Sequence, residues 1–345
     1  MLKISAYISA FLLTYIGVEI FRRWSLRRGL FDIPNERSSH VEPTPRGGGL
    51  IIDVVCLTVF LIYCLIFHVN DYWSYFVGAV IVALVSWLDD LYTVSSIRRF
   101  LCHSLAAILV VWSLGFWETV YIPFAGTVFF GQIGRVVTFF WIVWMINAYN
   151  FMDGIDGIAG TQALTAGIGW MVVGSLYGID NTAFYGGVVA FSSLGFLIHN
   201  WQPAKIFMGD VGSAFLGYTF AVLPLIALKE TGKEQFFLPV IAVALVLLFV
   251  FDSIITLFKR LLRREKIWQA HREHIYQSLV ISGFSHSFVT IIYAVVSITI
   301  LILLVVWIEN RRNFGDIVFL FMGAQLICLF IYSYRRKKID LKTVK

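Results

Sequence analysis

Asn147–Gly160 reads NAYNFMDGIDGIAG and lies between two strongly apolar runs, Val136–Ile146 (VVTFFWIVWMI) and Ile158–Tyr177. The pattern predicts two helices joined by a polar seam. Asp153 and Asp156 are three residues apart, which puts them on one face of any helical turn. Gly154 and Gly157 lack side chains, so the backbone beside the acids can approach a ligand closely. Both acids stand where the following helix begins, next to its free N–H groups. Carboxylates there favour a divalent cation, and the N–H groups favour phosphate oxygens. A plain Gly-rich turn is the alternative, but such a turn has no need of Asn147 and Asn150 just ahead of it.

The composition sets the environment of that seam. Of 345 residues, 59% are hydrophobic and only 14% are charged, with a mean hydropathy of +0.81. These values indicate an all-α polytopic membrane protein and exclude an ordinary soluble enzyme. Apolar runs extend from end to end, so residues 1–345 read as a single transmembrane domain. A net charge of +6 raises the question of nucleic acid. The basic residues flank apolar spans, however, where they set orientation in the bilayer, and no nucleic-acid partner is expected. Cys56, Cys64, Cys102 and Cys328 all lie inside apolar runs and show no C-x-x-C spacing. Neither a disulfide framework nor a zinc site follows from them.

A crossing helix needs about 20 apolar residues. Eleven stretches meet that need: 4–21, 47–68, 74–88, 100–117, 135–151, 158–177, 182–200, 211–228, 236–258, 287–308 and 316–334. The first lacks a small-residue cleavage site and runs into FRRWSLRR, so it is expected to stay as a span. Alternate connections and the tail after 334 hold 21 of the 27 Lys and Arg, whereas the opposite side holds five. That asymmetry predicts an outside N-terminus and a cytoplasmic C-terminus. Every polar cluster that looks chemical then falls on the cytoplasmic face. A transporter would instead place polar groups near the midplane, on interrupted helices.

Four further clusters share that face. Asp32–Gly49 (DIPNERSSHVEPTPRGGG) is broken by prolines and carries Arg37, His40 and Arg46, cations suited to an anionic substrate. Asp89 and Asp90 close the third span, with Arg98 and Arg99 soon after. Adjacent carboxylates at a membrane boundary repel unless a cation or proton relieves them, which suits a metal or a proton transfer. Asp210 stands between glycines in FMGDVGSAFLG (207–217); it is an acid at a helix start, either a metal ligand or a cap. Phe207 beside it can stack on a base or sit as an interface aromatic. In the segment 252–279, His271, Arg272 and His274 form HREH. Its spacing is wrong for a zinc protease, and the arginine favours pyrophosphate, although a basic surface helix is the alternative. Asp252 lies within the ninth span, with Lys259 or Arg260 as expected partners.

Together these clusters supply the acids, amides, glycines and cations that metal-assisted phosphoryl transfer requires. At this point the chain resembles the polyprenyl-phosphate N-acetylhexosamine-1-phosphate transferases. The resemblance covers roughly 30–280 and rests on RSSHVEPTPRGGG, Asp89-Asp90, N-x-x-N-x-x-D-G-x-D-G (147–157), G-D-x-G-S-x-x-L-G (209–217) and HREHIYQ (271–277). It implies attack by undecaprenyl phosphate on the β-phosphate of a UDP-N-acetylhexosamine, with UMP released and Mg²⁺ (or Mn²⁺) required. By motif, Asp210 resembles the metal-binding acid and Phe207 the ring beside the uracil. Asn147, Asn150, Asp153, Gly154 and Asp156 resemble the nucleotide and catalytic pocket. Asp89 and Asp90 resemble the pair that activates the lipid phosphate or holds the metal, with Asp90 also a metal ligand. His271, Arg272 and His274 match a loop near the pyrophosphate.

The resemblance also implies a bacterial inner-membrane protein in contact with membrane lipid, and it leaves room for a homodimer. HREH and the proline-rich loop differ from the phospho-MurNAc-pentapeptide transferase pattern, which is the alternative within the family. They look most like the O-antigen and surface-polysaccharide branch, whose donors include UDP-GlcNAc, UDP-FucNAc and UDP-QuiNAc. The CDP-alcohol phosphatidyltransferases fit poorly, because Asp153-Gly-Ile-Asp-Gly-Ile-Ala-Gly lacks their Ala-Arg and their further spaced acids.

Overall fold

The computed structural model describes residues 2–34, 42–231, 236–265, 272–310 and 315–343, the last seven by backbone alone. Each of the eleven apolar runs folds as helix. They are α1 (Leu2–Arg28), α2 (Gly49–Ile66), α3 (Trp73–Tyr92), α4 (Ser96–Ser113), α5 (Ile133–Phe151), α6 (Ile158–Tyr177), α7 (Asp180–Asn200), α8 (Gly209–Thr231), α9 (Leu238–Leu245) with α10 (Leu247–Leu262), α12 (His286–Glu309) and α13 (Ile317–Thr343). A short α11 (Ile275–Ile281) precedes α12. Among the described residues eight of these helices are long and apolar enough to cross a membrane, or nine if the bent pair α9–α10 is one span. The two that fall short of the eleven are α5 and α6. The reason for α6 is visible in its packing. It is enclosed by α7, α8, α9 and α12, and Thr161, Gln162 and Thr165 are buried among them. A helix surrounded by protein need not be apolar on every side.

α8 is the central mast. Every residue from Val211 to Ala227 is buried, with α2, α3, α5 and α7 packed around it. Lipid-facing helices show the opposite pattern: α12 and α13 expose isoleucines, leucines and phenylalanines along their outer sides. The ninth run departs from the sequence expectation. It breaks at Val246, and α9 and α10 meet at 77°. Along α10, Ile254, Leu257, Phe258, Leu261 and Leu262 are exposed, whereas Asp252, Ser253, Thr256 and Arg260 face inward.

The all-α expectation needs one amendment, since two small antiparallel hairpins are present. β1 (Phe31–Asp32) pairs with β2 (Thr44–Pro45) and draws the ends of the proline-rich loop together. β3 (Thr119–Ile122) pairs with β4 (Gly126–Phe129) between α4 and α5. The second is pinned by Asp316, whose two carboxylate oxygens accept the Tyr121 hydroxyl at 2.6 and 2.7 Å.

Candidate active site

The site is assembled where α3 ends and α8 begins. The Asp90 carboxylate accepts the Asp210 and Val211 N–H groups, each at 3.1 Å. It therefore caps α8 from a neighbouring helix and satisfies donors that a helix start leaves open. Gly209 is required there on two counts: its φ is +80°, and a Cβ would lie 2.7 Å from Asp90 Oδ2. Arg46 bonds the Asp90 carbonyl, and its Nε is 3.8 Å from Asp90 Oδ1. Main-chain bonds hold the RGGG stretch in place: Phe207 N–H donates to Pro45 O at 2.8 Å, and Gly48 N–H to Phe207 O at 3.0 Å. These bonds bring Arg46 and Phe207 to the same corner.

Asp89 turns the other way. It accepts the Val94 N–H at 2.5 Å and Arg99 Nη1 at 2.6 Å. The same Arg99 nitrogen lies 3.3 Å from Asp210 Oδ2. One guanidinium thus bridges two acids from different helices, while Arg98 stays exposed. Sequence reading gave Arg99 no separate role, because its two partners lie 10 and 111 residues away. The side chains of Asp90 and Asp210 differ sharply in exposure, 2% against 34%. Asp210 is the open acid and Asp90 the built-in one.

The 152–157 seam is not a helical turn, and its acids do not share a face as expected. Gly157 adopts φ +79° and opens α6 without a side-chain cap, its N–H going instead to Asn200 Oδ1 at 2.9 Å. Asp156 faces α12 and the 201–206 segment, with Ala204 N–H on Oδ2 at 3.1 Å and His286 Nδ1 3.3 Å from Oδ1. Asp153 remains beside the acidic group. Burial first, then the negative charges of Asp90, Asp156 and Asp32, push its carboxyl up to about 7. Asp32, on β1, is therefore a further member that sequence reading passed over. Asn150 accepts the Ser213 hydroxyl at 2.7 Å and ties α5 to α8. Asn147 is turned into its own helix, bonding Val143 O at 2.7 Å. Gly154 has no room for a Cβ, which would collide with the Tyr276 hydroxyl; that hydroxyl donates to Phe151 O at 3.0 Å.

The HREH segment is anchored differently from the way its charges suggested. His271 lies outside the described residues. His274 is buried at the start of α11 with Nδ1 3.0 Å from Asp252 Oδ1. Asp252 also accepts the Ile275 N–H at 2.9 Å, the Tyr293 hydroxyl at 3.0 Å and the Thr256 hydroxyl at 3.2 Å. The expected pairing of Asp252 with Lys259 or Arg260 is thus replaced by His274. Arg260 instead meets Glu265 at 2.9 Å, and Lys259 lies over the Phe330 ring at 4.4 Å. Lys259 and Arg260 stand about two turns, roughly 10 Å, further along the same helix, whereas α11 presents its N–H groups head-on to Asp252. Arg272, just ahead of α11, is near enough for its charge to act on the Tyr276 phenol.

The donors fit a hard divalent cation. Among the described residues no three His, Cys, Asp or Glu side chains converge into a ready cage. Mg²⁺ does not require one, since it takes one or two carboxylates and completes its shell with water and phosphate. Asp210, partly open and neighboured by Asp89, offers that kind of partial set.

A cluster of acids with arginines beside it thus stands at one end of a helical membrane bundle. Comparison with known proteins narrows the class. The family described as glycosyl transferase family 4 matches residues 72–228, the span from α3 to α8. The chain is 31% identical over 338 residues to a probable undecaprenyl-phosphate N-acetylglucosaminyl 1-phosphate transferase of Bacillus subtilis, covering 93% of this chain and 91% of the relative. It is 27% identical over 356 residues to the undecaprenyl-phosphate alpha-N-acetylglucosaminyl 1-phosphate transferase of Escherichia coli, covering 96% and 90%. A decaprenyl-phosphate N-acetylglucosaminephosphotransferase of Mycolicibacterium smegmatis is 31% identical over 309 residues, covering 81% and 75%. The chain belongs to glycosyl transferase family 4 and is a multi-pass membrane protein.

Proposed function

We propose that this protein transfers N-acetylhexosamine-1-phosphate from a UDP-sugar to undecaprenyl phosphate, and so starts a surface polysaccharide. Relatives along most of the chain are named as N-acetylglucosaminyl-1-phosphate transferases, which favours UDP-GlcNAc as donor. The observation that carries the reading is Asp210, a partly exposed acid framed by Asp89, Asp90 and Arg99 at the α3–α8 junction. An oxygen of the lipid phosphate forms a bond to the β-phosphorus, the α–β anhydride bond breaks, and UMP leaves with that electron pair.

In this scheme Asp210, with Asp89 or Asp90, would hold Mg²⁺ (or Mn²⁺), which when bound would neutralise pyrophosphate charge. Asp153, whose carboxylate takes no hydrogen bond among the described residues, orients the acceptor phosphate or takes its proton. Phe207 and Asn150 line the nucleotide side, Arg46 and Arg99 supply fixed positive charge, and Arg272 meets the pyrophosphate from the segment just before α11. The eleven-span topology, with the N-terminus outside and this site facing the cytoplasm, matches the 21-to-five split of basic residues.

The deciding experiment incubates purified protein with undecaprenyl phosphate, Mg²⁺ and a panel of UDP-HexNAc donors, and weighs the lipid product by mass spectrometry. A lipid pyrophosphoryl HexNAc with stoichiometric UMP is expected. UMP release independent of the lipid would overturn transfer in favour of hydrolysis. Cysteines placed at 178–181 should react with an impermeant reagent from outside, and one at Glu265 should not; the reverse would move the site to the other face.

A further inference from the structure

Asp156 is held at every polar atom, and α12 supplies most of the grip. Ala204 N–H donates to Oδ2 at 3.1 Å, and the Thr290 hydroxyl donates to the Asp156 carbonyl at 2.9 Å. His286, the first residue of α12, is the unusual partner. Its Nδ1 lies 3.3 Å from Asp156 Oδ1 and 3.4 Å from Asp156 N. One nitrogen therefore faces an acceptor and a donor of the same residue. With hydrogen on Nδ1 it donates to the carboxylate; as the other tautomer it accepts the amide. It cannot do both. Each choice favours a different setting of Asp156 within the 153–157 turn, whose other ties are Asp153 N–H to Asn150 O at 3.2 Å, Ile158 N–H to Ile155 O at 3.3 Å and, at its far end, Gly157 N–H to Asn200 Oδ1 at 2.9 Å. The same end of α12 grips the neighbouring 201–206 segment through Ser287 N–H and Gln202 Oε1 at 2.7 Å.

We infer that His286 is a positioning residue for the transfer reaction, acting through Asp156 to fix where Asp153 stands in the pocket. The inference rests on the transferase reading above. α12 lies beyond the residues that the family match covers, and sequence reading treated it as a plain span. Asp156 accordingly serves as the lever between α12 and the pocket rather than as a group that meets substrate.

The test is a double-mutant cycle on the full-length protein. His286→Leu removes both bonds, while His286→Asn keeps one donor and one acceptor near the position of Nδ1. Both are made in the native background and in Asp156→Asn. We expect His286→Leu to lower kcat about tenfold while donor KM stays within about threefold. His286→Asn should recover most of that loss. In the Asp156→Asn background the Leu and Asn variants should perform alike, because coupled residues are non-additive. Equal rates for Leu and Asn in the native background, or the same Leu-to-Asn ratio in both, would overturn the inference. Should His286→Leu not fold, His286→Gln replaces it, since its amide sits one bond too far out. Thermal unfolding of the same set separates this inference from the functional one. Coupled melting shifts in a protein that makes no lipid product would refute the transferase and leave the clamp standing; additive shifts and additive rates in an active protein would refute the clamp alone.

Discussion

Asp252 and Asp210 are both acids inside an apolar bundle, and their surroundings assign them opposite tasks. Asp252 is 1% exposed and takes hydrogen bonds from His274, Tyr293, Thr256 and two main-chain N–H groups. Every lone pair it can offer is used, and what it holds is the start of α11. Asp210 is 34% exposed, and its carboxylate is met by the long 3.3 Å approach of Arg99 and by the neighbouring Asp89. A buried carboxylate must be saturated to be tolerated, whereas one that must receive a ligand has to be left unsaturated. On the function proposed above, the contrast separates a structural anchor from an acid placed to receive a ligand.

The comparison can be broken most directly by removing each acid. Asp210→Ala should abolish turnover, by on the order of 10³-fold or more, because a ligand to the ion that offsets phosphoryl charge is lost. Folding should be little affected, and Mn²⁺ binding followed by electron paramagnetic resonance should weaken in parallel. Near-normal activity with unchanged metal dependence would reduce Asp210 to a helix cap. Asp252→Ala should behave in the reverse manner. It strands the His274 ring and two N–H groups in the interior, at a cost of about 3 kcal/mol in stability. Thermal unfolding in detergent checks this, and an unchanged melting temperature would remove Asp252 as an anchor.

How far the sequence carries can be seen at the same two acids. Apolar runs are a local signal, so the positions of the helices were legible, down to the seam at 152–157 between α5 and α6. Partnerships are non-local and were not. Nothing in the spacing connects Arg99 with Asp210 or His286 with Asp156, and proximity along α10 misdirected Asp252 to Lys259 or Arg260. The break at Val246 escaped notice because apolar residues run through it on both sides. The β3–β4 hairpin also escaped, since its clasp, Asp316, lies 195 residues from Tyr121. The acids of the site could be named from their types and spacing; which of them is open, capped or clamped required the packing.

Arg272 sharpens the comparison on the α11 side, since it is the part of the anchored segment expected to reach substrate. An arginine can grip two phosphate oxygens at once and lysine cannot. Arg272→Lys should therefore cost about 2 kcal/mol in kcat/KM, roughly 30-fold, despite keeping the charge. Arg263→Lys, on an exposed side chain paired with Glu273 at 3.1 Å, should be nearly silent. Equal and mild effects at both positions would return Arg272 to a surface role.

The smallest effect concerns Asp153, an acid of the 152–157 seam whose state should depend on pH in the working range. Its carboxyl is pushed up to about 7, by burial first and by neighbouring negative charge second, against about 3.9 in an unfolded chain. Between those values the folded protein holds a proton that the unfolded chain has released. The stabilising contribution is therefore complete below about pH 4 and is lost as pH rises through 7, at no more than about 1.4 kcal/mol per pH unit from this group. Without divalent cation, the native protein should lose stability relative to Asp153→Asn as pH is raised from 5.5 to 7.5, because the amide cannot titrate. Adding Mg²⁺ should flatten the difference, since a cation nearby relieves the same repulsion that a proton relieves. Melting curves of the two proteins over that range, with and without Mg²⁺, measure it. Parallel pH slopes in the absence of metal would show that Asp153 stays charged throughout, and would put it with Asp252 among the acids whose charge the fold has already satisfied.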